Sequence, residues 1–276
     1  MNEWLARAWK YWKFLKNEYR RDRCGQAAAS LAFGTLLSIV PLAALLTWLL
    51  RPYDWSLDGV LEFLSRYFLP TPEFQTIITE AIERYAGNAG AMGLFGLAFF
   101  LFVAWGMLMS VESIFNDIWH VENRRGQVHK LGTFWAAVIF APLLFIASVT
   151  LNQNLSRSAL LGPLAANGHF EWLFAGLVPF LLLVISLSLG YLLLPHTSVR
   201  KRAAFLGAMV AAFLYVIARW IFVQYLERIA TFDTIYGILG VIPAFLMWLF
   251  FVWSVVLIGA EVSYTVDRPW DEMERG

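Results

Sequence analysis

Long apolar runs separated by polar or charged segments dominate the pattern of this chain. Crossing a hydrocarbon core of about 30 Å takes roughly 20 mostly apolar helical residues. Such runs must be helices, because a lipid-exposed backbone has to satisfy its own hydrogen bonds, and they are too evenly apolar for barrel strands. The candidate spans lie near 27–50, 91–111, 131–151, 173–194, 203–225 and 238–263. The pattern therefore predicts an all-α fold, a polytopic membrane helical bundle of six transmembrane helices, as a single membrane domain over 1–276.

The first 24 residues show a different pattern, with an apolar and aromatic stripe beside basic residues. The stripe consists of Trp4, Ala8, Tyr11 or Trp12, Leu15 and Tyr19. The bases off the stripe are Arg7, Lys10, Lys13 and Lys16. This arrangement predicts an interfacial amphipathic helix over 1–24, with anionic lipid headgroups as the partner of its basic face. The helix is either a plain anchor and topology signal or a site of specific lipid recognition.

Two further amphipathic stretches lie in the segment 51–90, between the first two spans. The second begins at Thr71-Pro72-Glu73, which supplies an N-cap, a proline at the first helical position and an acid in the first turn. We expect a two-helix external loop at the outer mouth of the bundle. It either packs there or forms a lid over a cavity.

The distribution of positive charge predicts the orientation. Of the 21 Lys and Arg residues, 15 lie in the N-terminal segment, the second and fourth loops and the tail, and only five lie in the other loops. Positive residues are retained on the cytoplasmic side. The N-terminus and the C-terminus are therefore both expected in the cytoplasm, which fits an even number of spans in a bacterial inner membrane.

Composition narrows the range of functions. The chain is 59% hydrophobic, its formal net charge is +1, and it has one cysteine, Cys24. No basic footprint for nucleic acid, no disulfide and no cofactor-binding or multi-cysteine metal motif is predicted. Catalytic motifs are absent and the acids do not converge as a nuclease would require, so we expect no enzyme. Four histidines are expected to be solvated residues in or beside loops: His120, His129, His169 and His196.

Polar residues at membrane depth are the candidate functional groups, because an ionisable side chain in hydrocarbon costs several kcal/mol unless it is paired or faces water. Arg219 lies in the fifth span and either snorkels to the outer interface or faces the interior. Glu112 and Asn116 share a helical face at the cytoplasmic end of the second span, and Glu261 ends the sixth span in the same leaflet. These residues form either a polar cluster at the inner mouth or a network that only fixes helix packing.

Four segments together resemble the YihY/BrkB family of inner-membrane proteins. They are AASLAFGTLLSIVPL, SVESIFNDIWHVENRRG, YLLLPHTSVRKRAAFLGA and FDTIYGILGVIPAFLMWLFFVWSVVLIGAEVSY. The resemblance implies a six-helix bacterial membrane protein whose relatives are often proposed to be transporters, including of lipid-related substrates. It also brings older labels for the family, a serum-resistance factor and, mistakenly, ribonuclease BN.

Motif by motif, the resemblance draws attention to further residues without giving them roles. Tyr236 and Gly237 fall at the external start of the last span, where glycine allows a tight turn and tyrosine suits the interface. Tyr236 joins Arg219, Glu112, Asn116 and Glu261 as a candidate for the polar pathway. The remaining motif positions are Pro41, Trp119, Arg125, Pro195, Gly207, Trp248 and Gly259.

These observations favour a transporter or lipid-translocating protein with a polar pathway among its helices. An alternative is a non-catalytic structural or assembly factor of the envelope, in which the polar helix ends only set packing. The third is a membrane-embedded enzyme acting on lipid headgroups, for which Glu112, Asn116, His120 and Glu261 are the candidate groups.

Overall fold

A computed structural model describes residues 2–50, 102–103, 105–121, 177–228 and 238–268. Helices and short connections make up these ranges, with no strand among them, which confirms the all-α class for this part of the chain. We number the helices in chain order as α1 (Asn2–Arg21), α2 (Cys24–Leu50), α3 (105–118), α4 (Val178–Leu193), α5 (Lys201–Arg228) and α6 (Ile238–Asp267). The expected span 131–151 and the external loop 51–90 lie outside the described residues.

Within the described ranges, two helices are long and apolar enough to cross a membrane, Lys201–Leu226 within α5 and Ile242–Asp267 within α6. The core helix of a soluble protein can pass the same test. Here, however, only 28% and 33% of the two apolar windows are buried, so most of their surface faces outward. An outward apolar surface of this size needs lipid or another protein to cover it.

The shorter helix α4 presents the same kind of surface. Leu181, Ile185, Leu189 and Leu193 recur every four residues and are all exposed, so they form one apolar stripe along the helix. Val184 and Tyr191 lie on the opposite side and are almost completely buried. A helix that buries small and aromatic groups inward and shows leucine outward is typical of a bundle in lipid.

Helix α6 is the central element, because it packs against α1, α2, α4 and α5. It runs antiparallel to α5. At one end of the pair, Gly207 of α5 faces Gly259 of α6, and at the other end Phe222 packs on Trp248 with ring centroids 5.2 Å apart. Antiparallel packing also relates α6 to α2, since the Trp253 indole donates to Thr35 Oγ1 at 2.9 Å.

Glycine is required where α5 crosses α6. A Cβ atom on Gly207 would fall 2.7 Å from Ser263 Cβ, and one on Gly259 would fall 2.5 Å from Ala211 Cβ. Both separations are well inside van der Waals contact, so the two backbones approach closely only because neither position carries a side chain. The sequence placed both glycines in motifs without a role, and the structure places them on either side of this crossing.

The basic segments come together at one end of the bundle. Arg200, between α4 and α5, donates from Nε to Asp267 Oδ1 at the end of α6 over 2.7 Å. His120, just after α3, lies 3.4 Å from Asp22 in the turn between α1 and α2. The N-terminal segment, the start of the second loop, the fourth loop and the tail therefore share one side, as the charge distribution predicts. We call this side the inner end.

Candidate functional site

The inner end of the bundle contains a buried polar group formed by α3 and the segment after α4. Glu112 Oε1 lies 3.0 Å from His196 Nε2, and both side chains are at least 97% buried. Asn116 joins them from one helical turn further along α3: its Oδ1 accepts from the His196 backbone N–H at 2.8 Å, and its Nδ2 donates to the Glu112 carbonyl oxygen at 2.9 Å. Asn116 thus ties the α4–α5 connection to α3.

A second buried pair lies at the same end, between α2 and α6. The Cys24 thiol donates to Glu261 Oε1 at 3.1 Å, and both residues are completely buried. Burial raises the pKa of the Cys24 thiol well above its usual range, and the neighbouring Glu261 carboxyl raises it further. The thiol therefore stays protonated and acts as a hydrogen-bond donor. We refer to Cys24, Glu112, Asn116, His196 and Glu261 together as the inner polar cluster.

Several buried polar atoms on α3 and α6 accept or donate no hydrogen bond within the described part of the chain. They are Glu112 Oε2, Trp119 Nε1, Glu261 Oε2, Ser263 Oγ and Tyr264 OH. Each such atom costs about 1–3 kcal/mol when it is left without a partner, and native proteins leave few of them. Water, an ion, a polar ligand or a side chain outside the described residues would satisfy buried atoms of this kind.

Aromatic side chains surround the inner polar cluster. Trp119 stacks on Phe115 with ring centroids 6.0 Å apart, and it meets Tyr264 edge-on at 6.3 Å. Tyr191 packs near Phe115 and donates from its hydroxyl to the Val256 carbonyl oxygen at 2.8 Å. Polar groups enclosed by rings are held in a region of low dielectric, where charged groups interact strongly.

The candidates proposed from sequence divide between two depths. Glu112, Asn116 and Glu261 lie together at the inner end, and Trp119 and Pro195 are buried beside them. Arg219 does not belong to this group. It lies 12 residues beyond Gly207 along α5, which corresponds to about 18 Å at 1.5 Å per residue.

Arg219 lies on the inward face of α5. It follows Tyr215 by one turn and precedes Phe222 by one turn, and both of these pack on Trp248 of α6. The Arg219 side chain is partly buried there. Its position favours the interior over the lipid-facing side of α5, at a level far from the inner polar cluster.

The other positions drawn from the motifs are less informative. Pro41 lies inside α2. Tyr236, Gly237 and Arg125 lie outside the described residues.

One expectation about the histidines is wrong. His196 is not solvated: its side chain is 2% exposed and lies against Glu112. Pro195 follows the end of α4, and the chain turns there, so that the His196 imidazole lies against α3 at the inner end. The sequence signal was available in the Pro-His pair at the end of an apolar run, but only the fold shows which carboxylate lies opposite.

A helical bundle with lipid-facing leucine stripes and a buried polar end defines an integral membrane protein of the multi-pass class. The family model described as virulence factor BrkB matches residues 15–276, and the chain belongs to that family.

Curated relatives carry the name "UPF0761 membrane protein". One from Alkalilimnicola ehrlichii is 30% identical over 96% of this chain and 61% of its own length. One from Halorhodospira halophila is 32% identical over 91% of this chain and 56% of its length. A third, from Aliivibrio salmonicida, is 31% identical over 94% of this chain and 84% of its length. The chain thus spans about three fifths of the first two relatives, and it is a membrane protein as they are. No solved structure matches it.

Proposed function

We propose that this protein is a transporter or lipid-translocating protein whose polar site is the inner polar cluster. One observation carries the proposal: buried acids, an imidazole and an amide occupy the inner end of the bundle, together with buried polar atoms that have no hydrogen-bond partner among the described residues. Groups of this kind are costly in a membrane protein unless they contact water, an ion or a substrate. A packing role alone would require each of them to be satisfied.

The proposed substrate has a polar or charged part and tolerates aromatic surroundings. Phe115, Trp119 and Tyr264 line the same region as Glu112 and Glu261. A lipid headgroup or a small polar solute fits this combination of rings and carboxylates. Arg219 offers a positive charge at the other depth of the bundle, where it would meet the substrate on a path along α5.

The test is flux in reconstituted vesicles. We expect the full chain to accelerate scrambling of a fluorescent lipid, or uptake of a labelled polar solute, above that of empty vesicles. Glu112→Gln and Glu261→Gln should each reduce this rate at least about tenfold, because a missing charge-assisted contact is worth roughly 1.5–3 kcal/mol. Asp117→Asn is the matched control, since Asp117 is an exposed acid on the same helix as the buried Glu112. Its rate should equal that of the wild type.

A structural role in the envelope is the second candidate, and the tight crossing of Gly207 and Gly259 is the observation that favours it. In that case the reconstituted chain moves neither lipids nor solutes, while Glu112→Gln still changes thermal stability. We assign no catalytic step to the inner polar cluster. His120, once grouped with Glu112 as a candidate catalytic residue, lies instead beside α1.

We also propose that α1 lies along the headgroup region, with anionic lipid as its partner. Residues 9–13 of this helix are all exposed: Trp9 is 68% exposed and Trp12 is 59% exposed, and Lys10 and Lys13 lie between or beside them. The C-terminal part of α1 faces the bundle, where Tyr19 packs against the apolar core. Exposed tryptophans among lysines match the boundary between acyl chains and anionic headgroups.

Spin labels can measure the depth of α1 in nanodiscs that contain anionic lipid. Trp12→Cys and Lys10→Cys, in a Cys24→Ser background, place labels on opposite sides of α1, since two residues turn the helix by about 200°. We expect the label at position 12 to be accessible to oxygen in the lipid and the label at position 10 to be accessible to a water-soluble nickel chelate. Equal exposure of both labels to the chelate would place α1 in water and overturn the proposal.

A further inference from the structure

A second group of metal-ligating side chains lies at the inner end, apart from the inner polar cluster. Glu18 and Asp22 stand four residues apart at the end of α1, and His120 reaches them from just after α3. Each offers one ligand atom, and these atoms lie within 4.8 Å of one another. We call these three residues the carboxylate–histidine site.

The spacing of the site is close to that of metal ligands. His120 Nε2 lies 3.4 Å from Asp22 Oδ1 and 3.9 Å from Glu18 Oε2. Two ligands about 2.1 Å from one metal, at angles between octahedral and tetrahedral, stand about 3.0–3.4 Å apart. One distance already fits, and the other requires a movement of roughly half an ångström at a long glutamate side chain.

Both carboxylates are buried and incompletely satisfied. The side chains of Glu18 and Asp22 are each 7% exposed. The second oxygen of Asp22, Oδ2, is buried and accepts no hydrogen bond from any described residue. Burial raises the pKa of Asp22, although His120 and Arg21 nearby lower it. A buried carboxylate oxygen of this kind calls for a cation.

Arg21 fills that role in the described arrangement. Its Nη2 lies 2.8 Å from Glu18 Oε2 and contacts His120 Nε2, and its Nε lies 3.4 Å from Asp22 Oδ1. The Arg21 side chain is 52% exposed, so it covers the site from the solvent side and can swing away into water. One guanidinium leaves the two carboxylates with a net negative charge, whereas a divalent ion neutralises both.

We propose that Glu18, Asp22 and His120 form a binding site for a divalent transition-metal ion, and that the ion displaces Arg21. An imidazole with two carboxylates suits Zn²⁺ or Mn²⁺, whereas Mg²⁺ prefers oxygen ligands alone. Glu18 comes from the last turn of α1, Asp22 from the turn that follows it, and His120 from just after α3. The bound ion would fasten the amphipathic helix to the bundle and fix where α1 lies. This site does not depend on the transport proposal, because none of its ligands belongs to the inner polar cluster.

Titration of the purified full chain with zinc chloride tests the site. The chain carries an affinity tag without histidine, is stripped with a chelator and is then followed by calorimetry and by metal analysis after gel filtration. We expect one zinc per chain, with Mn²⁺ in competition and Mg²⁺ without effect at equal concentration. Asp22→Asn and His120→Gln should each weaken binding by at least about tenfold, since each removes a ligand.

Arg21→Gln provides the sharper variant. Because it removes the competing cation and leaves every ligand in place, we expect tighter zinc binding, by about tenfold. Asp117→Asn, which removes a nearby acid that is not a ligand, should weaken zinc binding much less than Asp22→Asn. Cys24→Ser should also bind zinc normally, and the X-ray absorption spectrum of the bound zinc should show nitrogen and oxygen ligands without sulfur.

The outcomes separate clearly. Absence of zinc binding by the wild type overturns the proposal, as does undiminished binding by a folded Asp22→Asn or His120→Gln chain. If both of these variants fail to fold, Arg21→Gln still decides, because a purely structural ion pair predicts weaker or unchanged zinc binding. A vesicle flux assay that fails would leave this result untouched.

Discussion

At the scale of single residues, the inner polar cluster consists of polar residues that are far apart in the sequence and that the fold brings to one end of the bundle. Glu112 and Asn116 could be placed on one helical face from their spacing, and they do lie together. His196 and Cys24 are separated from their partners by 84 and 237 positions. No local periodicity links residues so far apart. Their pairing follows from how α2, α3 and α6 pack, which a single sequence does not specify.

Cys24 offers the cleanest residue-level prediction. Cys24→Ala removes the donor to Glu261 and leaves a buried carboxylate oxygen without its partner, so we expect a loss of stability of about 1–3 kcal/mol. Cys24→Ser keeps a donor of similar size and should lose clearly less. Thermal unfolding in detergent, followed by tryptophan fluorescence, compares the two. Equal stability of the alanine variant and the wild type would mean that the thiol contributes no hydrogen-bond energy.

At the scale of elements, four of the six expected spans coincide with long described helices, namely α2, α4, α5 and α6. Helices α2, α5 and α6 cover the expected spans 27–50, 203–225 and 238–263 completely. Helix α4 is described from Val178 to Leu193, within the expected span near 173–194. Apolar run length predicts existence and type of such helices well, and it predicts their ends less well because caps and connections depend on packing.

The behaviour of α1 differed from its sequence pattern in one respect. Tyr19, at the end of the apolar stripe, packs on the bundle and not on lipid, and Glu18 beside it is 5% exposed. The C-terminal end of the stripe therefore faces protein. Periodicity identifies an apolar face, but it does not distinguish a protein neighbour from a lipid neighbour, since both are apolar.

The crossing of α5 and α6 gives the element-level prediction. Gly207→Ala should destabilise the bundle by about 1–3 kcal/mol, because the new methyl group meets Ser263 and forces the backbones apart. Gly106→Ala is the matched control: a Cβ at this α3 position meets no atom within 4 Å. That variant should be neutral or more stable by about 0.5–1 kcal/mol, the helix preference of alanine over glycine. The midpoints of thermal unfolding in detergent report both effects, and equal midpoints would contradict the close crossing.

At the scale of the whole molecule, the convergence of the basic segments shows which connections lie at the same end of the bundle. Arg200, His120 and the turn before Cys24 all lie at the inner end with Asp267. Two segments on the same side of a membrane are joined by an even number of crossings. The arrangement therefore agrees with the expected two, four and six spans between the N-terminal segment and, in turn, the second loop, the fourth loop and the tail. The charge bias predicts that this side is the cytoplasmic one.

Reporter fusions can check the assignment. We expect a fluorescent protein fused after Arg268 to fold and fluoresce in a bacterial host, and alkaline phosphatase fused there to be inactive, because the phosphatase needs the oxidising side of the membrane. Phosphatase fused within the segment 51–90 should be active and serves as the control. Activity patterns reversed between the two positions would turn the protein over in the membrane.

The way α5 meets α6 has a mechanical consequence. Glycine and alanine line the contact at the inner end, whereas Tyr215, Phe222 and Trp248 keep the backbones apart at the other end. The helix pair is therefore a wedge, joined at its narrow edge. A rotation of about 10° at the glycine pivot would carry Arg219, about 18 Å away, through roughly 3 Å. Small adjustments among the buried acids and imidazole at the pivot would thus produce larger displacements of a positive charge, directed sideways in the plane of the bilayer.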